Sequence, residues 1–545
     1  MKRVSAFLFI ISLPILIIGQ LNRFPSKKPK LIVQIAIDYF STDMIFKFKH
    51  KLSEKGLKFL INEGTFCKNA SLGYGITQTL PGYATIATGA QPSVHGIISN
   101  NWYNPIKKTI IDACYDKNVT VIGGNTTKSL QVSPKHLFSS TFTDELKLFY
   151  GNKSKIFSVA LDPKASVLLA GHTADGAYFY DSQTGNFVTN SFYTEKLPDW
   201  VKNFNKKKLP FTYLNREWTT LYDIKEYNES DSSDYEKGFG YGIIFPYDLT
   251  SIAKLDKKNP NYTILKYTPF GNTYVFDFAR ATIVYESLGK DKYTDYIGIG
   301  VNSLKYIAKY FGTESVEFED AFLRLDKEIA HLVEFLNENI GKGNVLVIIT
   351  GTSGVMPPPE FLKQKKIASG RYNQMFAFSL LKTYLNALYG EGNWISKFDN
   401  MQVFLNRTLI EDKKINLAEM QQKTADFLMQ FNGIALSLTA FSLLNNNYTE
   451  GILNKIQNSF NPKRSGDVII TLQPYYMENI SDVSSSGSPY SYDTNVPIIF
   501  YGWKTKIRTI SDKVDITQIA PTLSYILEIR YPSGSTAEIF TKFYK

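Results

Sequence analysis

The residue of this sequence that is best placed to react with an anion is a threonine at the predicted start of a helix. Thr79 precedes Pro81 by two residues in the segment 77–89, and proline is common in the first turn of a helix. The free backbone N–H groups and the dipole at a helix start favour a bound anion. Two interpretations follow: Thr79 either caps the helix, or offers its hydroxyl as a nucleophile to an anionic group.

Histidine and cysteine, which also carry chemistry, are few and scattered in this chain. No two histidines have a spacing that is typical of a metal site, so we expect packed or solvated side chains rather than zinc ligands. The histidines are His50, His95, His136, His172 and His331. The two cysteines, Cys67 and Cys114, either form one disulfide in an oxidising compartment or remain thiols, and the sequence favours neither state.

The elements that would position such residues are buried strands alternating with amphipathic helices. The apolar run 31–37 ends in Asp38, as expected of a strand that is buried on both faces of a parallel sheet. Apolar residues spaced by three and four from Phe318 to Leu336 predict a helix that ends near Gly341. Further strand-like runs lie at 345–349, 468–472 and 496–500. We therefore expect an α/β fold with a mostly parallel central sheet flanked by helices, whose ligands bind beyond the carboxyl ends of the strands.

The length and composition indicate a large folded protein that carries insertions. The chain has 545 residues, of which 43% are hydrophobic, and this excludes a disordered polymer. Residues 176–290 are rich in Tyr, Asn, Asp and Lys and are predicted to form a cap insertion. Residues 371–463, with helical periodicity near residues 417–428, are predicted to form a second insertion. The core is then divided into three parts, residues 28–175, 291–370 and 464–545.

The N-terminus has the pattern of a secretory signal peptide. A basic start at residues 1–3 precedes a run of fifteen mostly apolar residues, 4–18, with a small residue for cleavage near Gly19-Gln20. The run is too short to span a bilayer, so we expect an exported, periplasmic protein with no membrane span. The formal net charge of +11 is spread along the chain in small clusters, which does not predict nucleic-acid binding.

Several motif-bearing segments together resemble the alkaline phosphatase superfamily. The closest branch is the periplasmic phosphate-irrepressible alkaline phosphatases, which are related to nucleotide pyrophosphatases and phosphodiesterases. The segments that carry the resemblance are 30–38, 79–89, 92–103, 170–176, 465–468 and 492–497. The resemblance implies a phosphoryl-transfer site in which two zinc ions activate a threonine nucleophile and steady the leaving group.

The resemblance assigns roles to particular residues, and most of the implied zinc ligands are replaced. Thr79 takes the position of the nucleophile, Asn100 that of a phosphate-contacting amide, and Asp38 is the sole retained ligand. The other five ligand positions hold Lys305, Lys309, Thr352, Ser353 and Ser486. The two basic residues that this branch uses on phosphate correspond to Asp162 and Lys164.

These replacements predict a site without zinc and a change of function. We expect Lys305 or Lys309 to pair with Asp38, and an anion could bind at Thr79, Lys305 and Lys309. No cofactor is predicted. The chain is then interpreted as a catalytically degenerate binding or scaffold protein of the cell envelope that meets a protein partner through its cap insertions. The alternative is a metal-dependent phosphomonoesterase or phosphodiesterase that uses Thr79 as nucleophile with a rearranged metal site.

Overall fold

The structure is a computed structural model that describes residues 27–240, 242–254, 260–478 and 481–544. The predicted signal peptide, residues 1–19, lies outside the described residues. Within the described part of the chain, no helix is both long enough and apolar enough to cross a membrane.

A twisted central sheet forms the middle layer of the molecule. The five strands at its centre, from Val345–Gly351 to Gly176–Asp181, run parallel, and the strands at both edges include antiparallel neighbours. The predicted α/β fold with a mostly parallel sheet is therefore confirmed. In spatial order the strands are Arg508–Ile510, Thr65–Cys67, Ile498–Gly502, Val345–Gly351, Leu31–Ile37, Asp295–Val301, Ile156–Ala160, Gly176–Asp181, Asn186–Asn190 and Val121–Ile122.

The two faces of this sheet bury separate hydrophobic cores. Side chains alternate along the central strand, so Val33 and Ile35 join one core while Ile32 and Ala36 join the other. The first core contains helices Thr42–Phe48, Pro269–Tyr285, Ser303–Phe311 and Val316–Asn339. The second contains helices Thr79–Thr88, Phe142–Tyr150, Pro163–Ala170 and Ile519–Leu527. Cys67 and Cys114 are both buried and both are free thiols, which decides between the two states that the sequence left open.

Two of the predicted boundaries between the core and the insertions differ from those in the structure. The cap insertion was predicted from residue 176, but Gly176–Asp181 is buried throughout and pairs in parallel with Ile156–Ala160, so it belongs to the central sheet. The run at Val468–Leu472 was assigned to the core. It instead pairs antiparallel with two strands of the second insertion, Gln402–Leu405 and Ile434–Thr439. An apolar run predicts a buried strand but does not say which sheet buries it.

Shorter elements complete the described chain. The helix predicted near residues 417–428 is present, and so is the long helix predicted from Phe318 to Leu336. The remaining helices are Leu57–Glu63, Pro92–His95, Asp199–Lys206, Leu209–Leu214, Leu249–Ile252, Pro359–Gln364, Gln374–Tyr389, Arg407–Asp412, Leu417–Leu428, Ala440–Asn445, Gly451–Ser459 and Ser491–Thr494. Short 3₁₀ helices cover Gly151–Lys153, Ile224–Glu226, Tyr262–Tyr267 and Ile516–Gln518. The remaining strands are Ala70–Ser71, Asn101–Asn104, Thr109–Asp112, Glu217–Trp218, Tyr247–Asp248, Gly370–Tyr372, Ile395–Asp399, Tyr476–Glu478 and Val514–Asp515.

A cluster of buried carboxyl groups joins the first insertion to the long helix Val316–Asn339. Neither carboxyl oxygen of Glu236 has a hydrogen-bond partner of ordinary geometry among the described residues, and Glu317 uses one oxygen to accept the Tyr247 hydroxyl. Burial, followed by the charges of Glu317 and Asp231, raises the pKa of Glu236 to about 9. Burial likewise raises the pKa of Glu317 to about 8. Both groups are therefore protonated at neutral pH.

Replacing Glu236 by glutamine should flatten the pH dependence of stability. Burial raises the pKa of Glu236 from its ordinary value of 4.5 to about 9 in the folded state, so its favourable contribution to stability is complete below the lower value and is lost as pH rises towards the higher one. We expect the Tm of the Glu236→Gln variant to exceed that of the wild type by roughly 2–4 °C at pH 9 and to match it near pH 5. Thermal unfolding at both pH values measures this. The exposed Glu391→Gln is the matched control, and an equal pH response in both variants would contradict the account.

Candidate active site

Four neighbouring strands bring polar residues together where they end. In the parallel register Ile37 lies opposite both Val301 and Gly351, and Ala160 lies opposite Gly300. The residues that follow these strands therefore meet at one edge of the sheet, as expected of a ligand site in an α/β fold. They are Asp38, Asn302, Thr352 and Asp162.

A buried ion pair lies at this edge. Lys305, in the first turn of the helix Ser303–Phe311, places its Nζ 2.8 Å from Oδ2 of Asp38 and 3.4 Å from Oδ2 of Asp162. Asp38 is fully buried and also accepts hydrogen bonds from Thr352 Oγ1 at 2.8 Å and Asn302 Nδ2 at 2.9 Å. Burial opposes the charged ammonium, but Asp38 and Asp162 outweigh it and raise the pKa of Lys305. Lys305 is therefore a permanent cation.

The expected pairing with Asp38 holds for one of the two lysines. Lys305 makes it, but Lys309 does not, because its Nζ pairs with Asp482 Oδ2 at 2.7 Å instead. Lys309 lies one turn further along the same helix, where it faces the segment that carries Asp482. The prediction that one of these two lysines pairs with Asp38 is therefore met by Lys305.

Thr79 stands at the N-terminus of the helix Thr79–Thr88 with a free hydroxyl. The N-cap residue is Gln78, and no described residue hydrogen bonds to the Thr79 side chain, so the interpretation of Thr79 as a helix cap is wrong. Gly82 allows this helix to approach the end of a sheet strand, since a Cβ at that position would lie 2.1 Å from the carbonyl oxygen of Thr352. The helix thereby holds Thr79 beside the sheet edge.

Six of the predicted site residues line one cavity of about 440 Å³, whereas Asp38, Thr352 and Ser353 are not part of its wall. Its wall includes Thr79, Asn100, Lys164, Lys305, Lys309 and Ser486. Another part of the wall comes from the second insertion and the strand associated with it, with Asn400, Met401 and the residues 469–472. No described residue of the predicted cap insertion, 176–290, lines the cavity. The second insertion, rather than the first, encloses this site.

Asn100 and Lys164 are held in place by their own neighbours. The Asn100 side-chain oxygen accepts the backbone N–H of Leu80 at 3.2 Å, so the amide lies against the start of the Thr79 helix. Lys164 forms an ion pair with Asp112. Burial opposes the charged form, but Asp112 outweighs it and raises the pKa of Lys164. Asp162 caps the helix Pro163–Ala170 by accepting the backbone N–H of Lys164 at 3.0 Å.

Ser486 and Asp493 both line the cavity, and Ser486 contacts Ser353, which is not part of the wall. Ser353 Oγ lies 3.5 Å from Ser486 Oγ. Asp493 accepts three hydrogen bonds through Oδ2, from the backbone of Gly487 and Ser488 and from the Ser488 hydroxyl. Its Oδ1 is buried and has no partner among the described residues. Burial raises the pKa of Asp493 to about 7, so this carboxyl group gains or loses its proton near neutral pH.

The histidines are packed or solvated, as predicted, and none of them lines this cavity. His95 is buried, with ring nitrogens 3.1 Å from Thr85 Oγ1 and 3.1 Å from the backbone nitrogen of Ile97. His172 is paired with Asp144 at 2.7 Å, and His136 packs edge-on against Trp102. His50 and His331 are exposed.

Sequence reasoning missed four residues of the site. Asn302 follows a buried strand that the sequence pattern did not single out, and the carboxyl-end rule would have found it once that strand was recognised. Asp112, Asp482 and Asp493 lie in loops or at the ends of short elements. No local pattern marks Asp112 or Asp482 as a partner of the site, whereas Asp493 lies in the segment 492–497 that carries the resemblance but was given no role.

Comparison with known proteins identifies the family. The sequence matches the family described as type I phosphodiesterase / nucleotide pyrophosphatase over residues 32–482. The chain belongs to this family. The resemblance to the alkaline phosphatase superfamily is thereby confirmed.

Relatives of this type I phosphodiesterase / nucleotide pyrophosphatase family member include alkaline phosphatases of nearly equal length. Alkaline phosphatase PhoV of Synechococcus elongatus is 34% identical over 522 residues, which cover 95% of this chain and 93% of PhoV. Alkaline phosphatase PafA of Elizabethkingia meningoseptica is 32% identical over 522 residues, which cover 94% of each protein. The crystal structure of PafA superposes with a TM-score of 0.90 at 31% identity, covering 96% of this chain and 100% of that one.

These relatives correct the functional prediction. The interpretation as a catalytically degenerate binding or scaffold protein is contradicted, because relatives that share about a third of their residues over nearly the whole chain are named alkaline phosphatases. The family comparison supports a phosphoric ester hydrolase. Loss of ligand residues at the sheet edge was too narrow a basis for assigning loss of function.

The side chains at the sheet edge do not fit the two-zinc centre that the superfamily implies. Zinc takes thiolate, imidazole or carboxylate ligands, whereas the positions around Asp38 hold ammonium and hydroxyl groups: Lys305, Lys309, Thr352, Ser353 and Ser486. The ammonium of Lys305 already lies against Asp38 and Asp162. Among the described residues, no three His, Cys, Asp or Glu side chains converge in a way that could hold a metal ion.

Proposed function

We propose that this protein hydrolyses phosphoric esters, with Thr79 as the nucleophile and ammonium groups as the positive charges of the site. The observation that carries the proposal is the hydroxyl of Thr79, which has no partner among the described residues and lies at a helix N-terminus in one cavity with Asn100, Lys164 and Lys305. The relatives named alkaline phosphatases give independent support, since they match the chain over nearly its full length.

The proposed reaction has two steps. The Thr79 oxygen forms a bond to phosphorus while the ester P–O bond breaks, and the alcohol leaves with a proton. Water then attacks the phosphorus bound to Thr79, which restores the hydroxyl and releases inorganic phosphate when the substrate is a monoester, or a phosphate monoester when it is a diester. The backbone N–H groups at the start of the Thr79 helix, together with Lys305 and Asn100, stabilise the charge on the phosphoryl oxygens.

Asp493 is the carboxylate proposed to accept the Thr79 proton. It lines the same cavity, its Oδ1 has no partner in the part of the chain that the structure describes, and burial raises its pKa to about 7. We expect the rate to rise as pH increases through about 7, because the carboxylate is the active form of a general base. In the Asp493→Asn variant the rate should fall about 100-fold at pH 8 and lose this rise. A pH–rate profile measures this, with circular dichroism as the control for folding, and an unchanged profile in the variant would contradict the assignment.

The experiment that tests the proposed function is a hydrolysis assay on the full chain with aryl phosphate monoesters and diesters. Wild type and Thr79→Ala are purified in parallel, so that a contaminating phosphatase would give equal rates in both. Turnover that depends on Thr79 supports the proposal. Turnover in neither ester class, or equal turnover in both proteins, would overturn it.

Export to the periplasm is proposed together with this activity. The predicted signal peptide and cleavage near Gly19-Gln20 support it. Intact mass of the protein recovered from the native host's envelope and periplasm would identify the mature N-terminus.

A further inference from the structure

The oxygens of Asp38 are already occupied by donors of this chain. Oδ1 accepts the Thr352 hydroxyl at 2.8 Å, while Oδ2 accepts Asn302 Nδ2 at 2.9 Å and the Lys305 ammonium at 2.8 Å. A divalent cation bound to Asp38 would have to displace at least one of these donors. The hydrogen-bonding capacity of this buried carboxylate is therefore already used by donors of the chain, and its oxygens are not open to a metal ion.

The ammonium of Lys305 is fixed rather than mobile. It lies between Asp38 and Asp162, with only about 10% of its side chain exposed, and 5.2 Å from the centre of the Tyr306 ring. Asp162 is itself anchored as the cap of the helix Pro163–Ala170. Each anchor belongs to an element that follows a strand of the central sheet, so the sheet register sets the position of the charge.

Lys305 is also part of the cavity wall that carries Thr79 and Asn100. A phosphoryl group bound at the N-terminus of the Thr79 helix would therefore lie near the positive charge of Lys305, which is held beside Asp38. In a phosphoryl-transfer site this is the task of a metal ion. The difference is that an ammonium supplies one positive charge and hydrogen-bond donors, and holds no water as a ligand.

We infer that Lys305 is a built-in counter-ion that takes the place of a divalent cation beside Asp38, so that the cavity binds phosphate without any metal. The inference deepens the proposed function and rests on it only for the choice of phosphate as ligand. The inference also has a consequence for metal binding: while Lys305 is present, Asp38 and Asp162 cannot bind zinc.

The test combines metal analysis with phosphate binding on the purified full chain. Wild type, Lys305→Met, Lys305→Asp and the exposed control Lys55→Met are incubated with zinc and dialysed, and zinc content is measured. Inorganic phosphate binding is then measured by calorimetry with and without EDTA. We expect wild type and Lys55→Met to retain no stoichiometric zinc and to bind phosphate equally well with and without EDTA.

The two variants of Lys305 test two separate effects: the loss of the positive charge that binds phosphate, and the gain of a carboxylate that can bind zinc. Lys305→Met should bind phosphate about tenfold more weakly, the effect of one charge-assisted contact. Lys305→Asp should gain a zinc ion held by the new carboxylate with Asp38 and Asp162. Stoichiometric zinc in wild type, phosphate binding that EDTA abolishes, or unchanged phosphate affinity in Lys305→Met would each overturn the inference. Metal-free phosphate binding without any ester turnover would instead overturn the proposed function and leave this inference standing.

Discussion

Replacing Thr79 by alanine should lower kcat/KM for phosphate esters by about three orders of magnitude or more, the scale of losing a nucleophile. The Thr79 hydroxyl has no partner among the described residues and lies at the N-terminus of the helix Thr79–Thr88. Alanine removes the only atom of that side chain that can bond to phosphorus. The helix start and its backbone N–H groups remain, so substrate binding should fall much less than turnover. Steady-state kinetics with an aryl phosphate separates kcat from KM.

Two control variants make this result specific to the hydroxyl. Thr79→Ser keeps an oxygen at the same position and should retain measurable turnover, with a phosphoryl-serine detectable by mass spectrometry in rapidly quenched samples. Thr383→Ala, on an exposed part of the helix Gln374–Tyr389, should match the wild type. Full activity in Thr79→Ala would show that another group attacks phosphorus.

Replacing Lys305 by methionine should reduce the free energy of unfolding by about 3–5 kcal/mol, the range found when one partner of a buried ion pair is removed. The methionine side chain has a similar length but no charge, so fully buried Asp38 keeps only its neutral donors, Thr352 and Asn302. Because the penalty arises from the stranded carboxylate, Asp38→Asn in the same chain should recover part of the loss. Urea unfolding of the two single variants and the double variant forms a double-mutant cycle.

The neighbouring lysine provides a matched comparison. Lys309 is about one-third exposed and pairs with Asp482, which is also partly exposed, so Lys309→Met should cost no more than about 1 kcal/mol. Equal losses in Lys305→Met and Lys309→Met, or no coupling between Lys305 and Asp38, would show that the ion pair at the sheet edge does not stabilise the fold.

The sequence predicted those parts of the site that local pattern encodes. The apolar strand that ends in Asp38, and the helix that begins at Thr79, are local features, and both are present. The pairing of Lys305 with Asp38 was expected from the resemblance and from the cost of an unpaired buried charge. It was harder to predict which sheet the other apolar segments join. Val468–Leu472 is as apolar as a strand of the central sheet, yet it pairs with a strand of the second insertion.

The remaining differences come from contacts between distant segments. Lys309 pairs with an aspartate 173 residues further along the chain, and Lys164 pairs with an aspartate 52 residues before it. Neither pairing has a signal in the sequence near the lysine. The functional prediction was wrong for a related reason: it treated missing zinc ligands as missing chemistry, although three of the replaced positions, Lys305, Lys309 and Ser486, line the cavity.

The central claim is that the positive charge beside Asp38 is the ammonium of Lys305 and not a metal ion. The most direct measurement is a crystal structure of the full chain grown with zinc and phosphate, with anomalous data collected at the zinc edge. The account predicts phosphate against Thr79 and Asn100, Lys305 Nζ between Asp38 and Asp162, and no anomalous peak there. An anomalous peak at Asp38 with the Lys305 side chain turned away would contradict it.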